Sequence, residues 1–343
     1  MTTKTLCGLR AASRPSIFHI HNLQPQRLSQ HHSRLLLLHP PASHTTRHNS
    51  TSSTTTTAPA TRLTHNPRLN GPPTTLPAPL VLPVRAPTNN LPTHLYRLGR
   101  AYLAFYKTGL KHVWANYKAA RTLQSSVIDA HAGGSLPRAV AAGLLTRGDL
   151  QLLARSRRDV ARIPLFALVL VACGEFTPLV VLALSGVVPG TCWIPKQVQR
   201  KREKAEGRRR ASFRGLVAPL PSNVGVVGLG REQLVHVSRS LGLHSAWWPE
   251  GWGLPPDGLL RTRVGRRAEY LEMDDRLIRS GGEVGEMEME EVRMALEERG
   301  LDLLGKNDQQ LRGLLRAWLR AREERPLMTL FLTRPSVWAK TDG

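Results

Sequence analysis

"PLFALVLVACGEFTPLVVLALSGVVPG", Pro164 to Gly190, decides how the rest of the chain is read. From Ile163 to Val188 there are 26 residues with a single charge, Glu175, and fifteen of them are Leu, Ile, Val or Phe. A helix of that length reaches about 39 Å, enough to cross a hydrocarbon core of about 30 Å with some tilt. Each large apolar residue favours insertion by about 0.3–0.6 kcal/mol and one central acid opposes it by about 3 kcal/mol, so insertion wins. Pro164 falls in the first turn of such a helix, where it is harmless. Pro178 is internal and predicts a kink beside Glu175. Residues 163–188 therefore predict one transmembrane helix with Glu175 and Pro178 as functional candidates. The carboxylate either holds helices together in a homo-oligomer or serves an ion path that such an oligomer encloses.

Outward from this stretch, charge is unevenly spread. The net +23 arises from nine basic and no acidic residues in 1–93, twenty-one against six in 94–214, and seventeen against eighteen in 215–339. Both flanks of the apolar stretch are basic, so charge counting does not orient it. Behind it, "WIPKQVQRKREKAEGRRRASFR" (193–214) carries Lys196, Arg200, Lys201, Arg202, Lys204, Arg208, Arg209, Arg210 and Arg214. Beside a membrane such a run suits cardiolipin or phosphoinositide head groups; it equally suits a phosphate backbone, or acts only as a flank that resists translocation.

Ahead of it, residues 1–70 are basic, rich in hydroxyl groups and free of acid, which predicts a mitochondrial transit peptide, with a generic disordered basic tail as the alternative. Residues 71–93 are proline-rich and predict an extended linker. Within 94–162, Leu98, Tyr102, Phe105, Val113 and Tyr117 recur at helical spacing among lysines and arginines. Two readings stand side by side: a basic amphipathic helix on an anionic membrane, or one packed against its own protein. A second helix is expected over 140–158.

The C-terminal part reads as all-α. "EMEMEEVRMALEERG" (286–300) has acids in its first turns, Arg299 in its last and Gly300 placed to cap it. "NDQQLRGLLRAWLRAREE" (307–324) starts on Asn307 with Gln310 at the capping-box position, then shows Leu311, Leu314, Leu315, Trp318 and Leu319 as one stripe. The acids of "MDDRLIRSGGE" lack calcium-loop order and read as solvated or helix-capping. Three cysteines without ligand spacing support neither a zinc site nor a disulfide framework. No catalytic constellation, metal site or cofactor motif stands out, so a non-enzymatic protein is expected.

"YKTGLKHVWANYK", "RRDVARIPLFALVLVACGEFTPLVV" and "CWIPKQ", then "YLEMDDRLIRSGG", "VRMALEERGLD", "LRGLLRAWL" and "LFLTRP", together resemble the LETM family of mitochondrial inner-membrane proteins. Without a coiled coil or EF-hand, the chain is similar to the short, LETM-domain-containing forms. The resemblance implies a transmembrane helix followed by a basic juxtamembrane segment, 189–214, and a helical, 14-3-3-like ribosome-binding domain over 215–334. It further implies a single-pass inner-membrane protein whose C-terminal domain faces the matrix and meets the mitochondrial ribosome. The alternative it implies is a part in cation/proton (K+/H+) exchange and volume homeostasis.

Overall fold

In the computed structural model, the described residues are 66–84, 90–173, 186, 188–216, 225–243 and 255–338. They belong to one compact unit, Pro59–Gly343, and their regular structure is helical, with no strand among them. The first helix, α1 (Leu91–Leu123), runs on through a π-helical stretch, Gln124–Asp129, and stops where Gly133 takes a φ of 58°. The expected helix over 140–158 divides into a short α2 (Leu136–Ala141) and a long α3 (Arg147–Cys173). Gly143, with φ 70°, ends the first piece, and reciprocal bonds between Thr146 and Asp149 start the second. Then come α4 (Pro195–Arg214), α5 (Arg231–Ser240), α6 (Asp257–Gly281) and α7 (Met289–Glu298). The last three are α8 (Asp308–Glu324), α9 (Leu327–Leu332) and α10 (Pro335–Trp338).

Helices α5 to α10 enclose the main core. The stripe read from α8 closes it: Leu311, Leu315 and Trp318 are buried, and Trp318 lies edge-on to Trp338. Asn307 caps that helix as its sequence predicts, its side chain accepting from the Gln310 amide while Gln310 returns a bond to the Asn307 amide. Gly300 has a φ of 74° behind α7, again as expected.

Helices α1 and α3 form an antiparallel hairpin beside this core. Phe105, Gly109, Val113 and Asn116 are the buried positions of α1, one face at helical spacing, so this length of α1 packs against its own protein. Gly109 is needed there: a Cβ would lie 3.0 Å from the Thr191 carbonyl oxygen, and the Thr191 hydroxyl donates to the Gly109 carbonyl.

Residues 66–76 straddle the expected join between tail and linker, and they are a docked strap. Leu69 is fully buried in the main core. Asn66 donates to Glu286, and Asn70 bonds the backbone at both Glu286 and Glu288. The strap passes so close over α3 that a Cβ on Gly148 would sit 2.8 Å from the Asn70 carbonyl oxygen. The proline-rich composition predicted an extended run; Pro73–Thr75 instead form a 3-10 turn, and α1 already begins at Leu91.

A charged seam joins strap, hairpin and core. Arg147 bonds Asp274 and Glu291, each at 2.9 Å, and also donates to the Leu69 carbonyl at 2.6 Å. Arg155 forks onto Glu291 at 2.7 and 2.8 Å, while Arg299 reaches Asp274 at 2.7 Å and Asp275 at 2.6 Å. Trp318 Nε1 donates to Asp275. Asp274 and Asp275 were expected as solvated or capping acids, and they are instead buried ion-pair partners. Their positions explain why: they follow Leu271 by three and four residues on α6, and that spacing puts them on the inward face.

The apolar stretch corrects the expectation of a single span. Residues 163–173 are the end of α3, so Pro164 is interior to a helix that began at Arg147 with charged turns. Residues 174–185 and 187, including Glu175 and Pro178, lie outside the described residues, as does most of the surface expected to make a homo-oligomer. Among the described residues no helix is long and apolar enough to cross a membrane. The two ends of the stretch also meet: Phe166 and Val188 share one apolar cluster, and Arg162 Nη1 lies 3.4 Å from the Val188 carbonyl oxygen. A straight helix of that length would hold its ends about 39 Å apart. The described ends of the stretch are therefore far closer than one straight helix over 163–188 would place them.

Candidate functional site

The basic run predicted from the sequence forms α4, and the fold sorts its nine cations. Pro195 opens the helix at its first position, and the Gln197 side chain accepts from the Ile194 amide. Helical periodicity then sends every third or fourth residue toward α7. Arg202 pairs with Glu290 at 2.7 Å and with Glu297. Arg209, buried, pairs with Glu206 at 2.5 Å, and Arg210 reaches both Glu206 at 2.7 Å and Asp302 at 3.3 Å. Arg202 thus ties α4 to α7 and Arg210 reaches Asp302 beyond it, whereas the Arg209–Glu206 pair lies within α4.

Lys201 and Trp193 make a second attachment. The side chain as a whole is exposed, but its ammonium sits 4.0 Å above the Trp193 ring. Desolvation at that spot, with Arg162 and Arg158 adding repulsion, pushes the Lys201 pKa down to about 8. Trp193 itself donates to the Val188 carbonyl at 3.1 Å and carries Arg162 at 5.1 Å. Nearby, burial raises the Cys192 thiol to about 11, which keeps it inert as a nucleophile. At the helix end, Arg214 is exposed and bonds back to the Arg210 carbonyl.

Lys196, Arg200, Lys204 and Arg208 remain. They recur every fourth residue, all four are exposed, and among the described residues none has an acidic partner within ion-pair distance. This stripe, four positive charges along roughly 18 Å of helix, is the free electrostatic surface of the run.

The acids of α7 show why the stripe faces outward unopposed. Glu290 and Glu297 hold Arg202, Glu291 holds Arg147 and Arg155, and Glu298 holds Arg158 and the Tyr270 hydroxyl. The acids of α7 thus turn toward strap, hairpin and α4, while four cations of α4 are left on the surface. Sequence reasoning missed this seam because each partner lies far away in the chain. The one local signal was two adjacent aspartates on the apolar face of α6. No group of His, Cys, Asp or Glu among the described residues is arranged to hold a metal.

The helices that bury Trp318 and Asp275, and that carry the acids engaging α4, are those of one known module. The family model described as "LETM1-like, RBD" matches residues 221–337. No curated protein and no solved structure matches the chain. Residues 221–337 are a LETM1-like RBD, bound in this chain to a strap, a helical hairpin and a basic helix from outside it.

Proposed function

We propose that this is a non-enzymatic mitochondrial inner-membrane protein that binds the mitochondrial ribosome through its LETM1-like domain and the adjoining basic face of α4. The observation that carries the reading is the match over residues 221–337 together with the unpaired stripe Lys196, Arg200, Lys204 and Arg208 beside it. A flexible basic tail would bind any polyanion. A stripe on a helix tied down through Arg202 and Arg210 offers its charges in one geometry, which suits an RNA backbone. The acid-free tail supports the mitochondrial part of the reading, and the apolar stretch supports the membrane part.

The test is co-sedimentation of the full chain with purified mitochondrial ribosomes over a salt series. Binding should weaken steeply with salt, and replacing the four stripe cations with Gln should flatten that dependence. Binding with the same salt slope in the quadruple variant would overturn the electrostatic role of α4. Loss of all co-sedimentation in the unmodified chain would overturn the ribosome reading itself. The alternative of K+/H+ exchange rests on Glu175, outside the described residues, and no observation here favours it.

A further inference from the structure

We infer that the chains on both sides of the apolar stretch lie on the same face of the membrane, and that the distal end of the α1–α3 hairpin is the surface that docks on the lipid. This deepens the membrane association proposed above and rests on it.

The first argument is topological. Residues 66–158 and residues 225–338 are not two bodies that a bilayer can separate. Arg147 and Arg155, before the stretch, are buried against Asp274 and Glu291, after it, with side-chain exposures of 0–4%. Leu69 is part of the core that α5 to α10 enclose. Separating them would strip Glu291 of both its cations, Arg147 and Arg155, and leave Asp274 with Arg299 alone. The stretch also begins and ends at one place, where Arg162 meets the Val188 carbonyl and Asp159 accepts from the Gly190 amide at 2.6 Å.

The second argument is where apolar surface is left open. Ten of the fourteen large apolar side chains that are exposed among the described residues fall in 81–84, 91–103 and 165–171. Leu103 is 69% exposed, Leu168 65% and Val171 84%. Phe166 and Val169 pack on Tyr106 and Leu110, so antiparallel pairing brings Leu168 and Val171 level with Leu103. A water-facing end of a helix pair has no reason to collect such residues. Exposed Arg97, Arg100, Lys107 and Lys111 are interleaved along the same length of α1. Apolar side chains with cations between them, continuous with an apolar stretch, fit a bilayer rich in anionic head groups rather than a protein groove.

The experiment uses the full chain reconstituted in phosphatidylcholine vesicles containing cardiolipin. Cys7 and Cys173 are replaced by Ala, and Cys192 is left in its buried site. Two exposed positions then receive cysteine, Ala119→Cys on α1 and Gln309→Cys on α8. An impermeant maleimide mass tag is applied to intact vesicles. With both flanks on one face, each molecule carries two tags or none, whichever way it inserted. A dominant population with one tag overturns the inference. In the same background, an environment-sensitive dye at Leu103→Cys should show blue-shifted emission and quenching by lipid-borne quenchers, whereas at Ala119→Cys it should report water. Water-like emission at both positions overturns the docking surface, and failure to partition into vesicles overturns the membrane association. Ribosome co-sedimentation reads the other half of the function independently of these outcomes.

Discussion

Arg147 and Asp274, 127 residues apart in the chain, meet at 2.9 Å with both side chains fully buried. The same guanidinium holds Glu291 of α7 and the Leu69 carbonyl of the strap, so one side chain from outside the LETM1-like domain links three parts of the fold. A buried pair of this kind adds little net stability over an apolar core of equal volume, but removing one partner leaves a charge in low dielectric.

Arg147→Met is therefore expected to destabilise the protein by about 3 kcal/mol, since it removes one of the two cations on each buried acid and leaves Asp274 to Arg299 and Glu291 to Arg155 alone. Denaturant unfolding checks this. A double-mutant cycle with Glu291→Gln should show a coupling that surface pairs such as Arg210–Asp302 lack.

The strap should behave as core. Leu69→Ala is expected to cost about 2–5 kcal/mol, and a chain that begins after Leu76 should lose comparable stability. A thermal melt of that truncated chain matching the full one would show that residues 66–76 are dispensable. The same contact implies that any removal of a leader stops before Asn66, which sequencing of the mature N-terminus reads directly.

Stability should fall in acid. Burial alone would raise the carboxyls of Asp274 and Glu291, but Arg147 and Arg299 beside the first, and Arg155 and Arg147 beside the second, hold both below their ordinary values. A carboxyl whose folded pKa is depressed contributes stability that is complete above the unfolded pKa, about 4, and is lost as pH falls through the lower folded value. Unfolding free energy should thus be insensitive to these groups from pH 7 to about 5 and decline below about 4.

His236 adds a step at higher pH. Burial, only partly offset by its bonds to Ser212 and Phe331, lowers its pKa, so the folded state keeps the ring neutral. That contribution is present above the unfolded value of about 6.5 and is lost as pH falls below it. His236→Gln should flatten stability between pH 7 and 5, measured by urea unfolding at each pH.

The arginines of α4 should separate into two classes. Gln at Lys196, Arg200, Lys204 and Arg208 together is expected to reduce the slope of log K against log salt for ribosome binding by about 3, at about 0.7 per lost phosphate contact. Their removal should leave thermal stability within about 0.5 kcal/mol. Arg202→Gln should do the reverse, weakening the attachment of α4 to α7 and lowering the melting temperature.

By itself the sequence determined the local features. Asn307 and Gln310 specify a cap because each satisfies a backbone amide three residues away, and the stripe from Leu311 to Leu319 buries one face of a helix by its period alone. The basic character of 193–214 and the apolar character of 163–188 were equally plain. What α4 does with its nine cations was not, because a partner 88 residues away decides whether Arg202 is surface charge or attachment. Nor was the role of 66–76, whose prolines and asparagines suggest linker until Leu69 is seen to fill the core. The apolar stretch is the sharpest case. Hydropathy sums one residue at a time and predicts a crossing, whereas the approach of Arg162 to Val188 is a fact about two ends. Only the tertiary structure, through the buried pairing of Arg147 with Asp274, decides that those ends belong to one body.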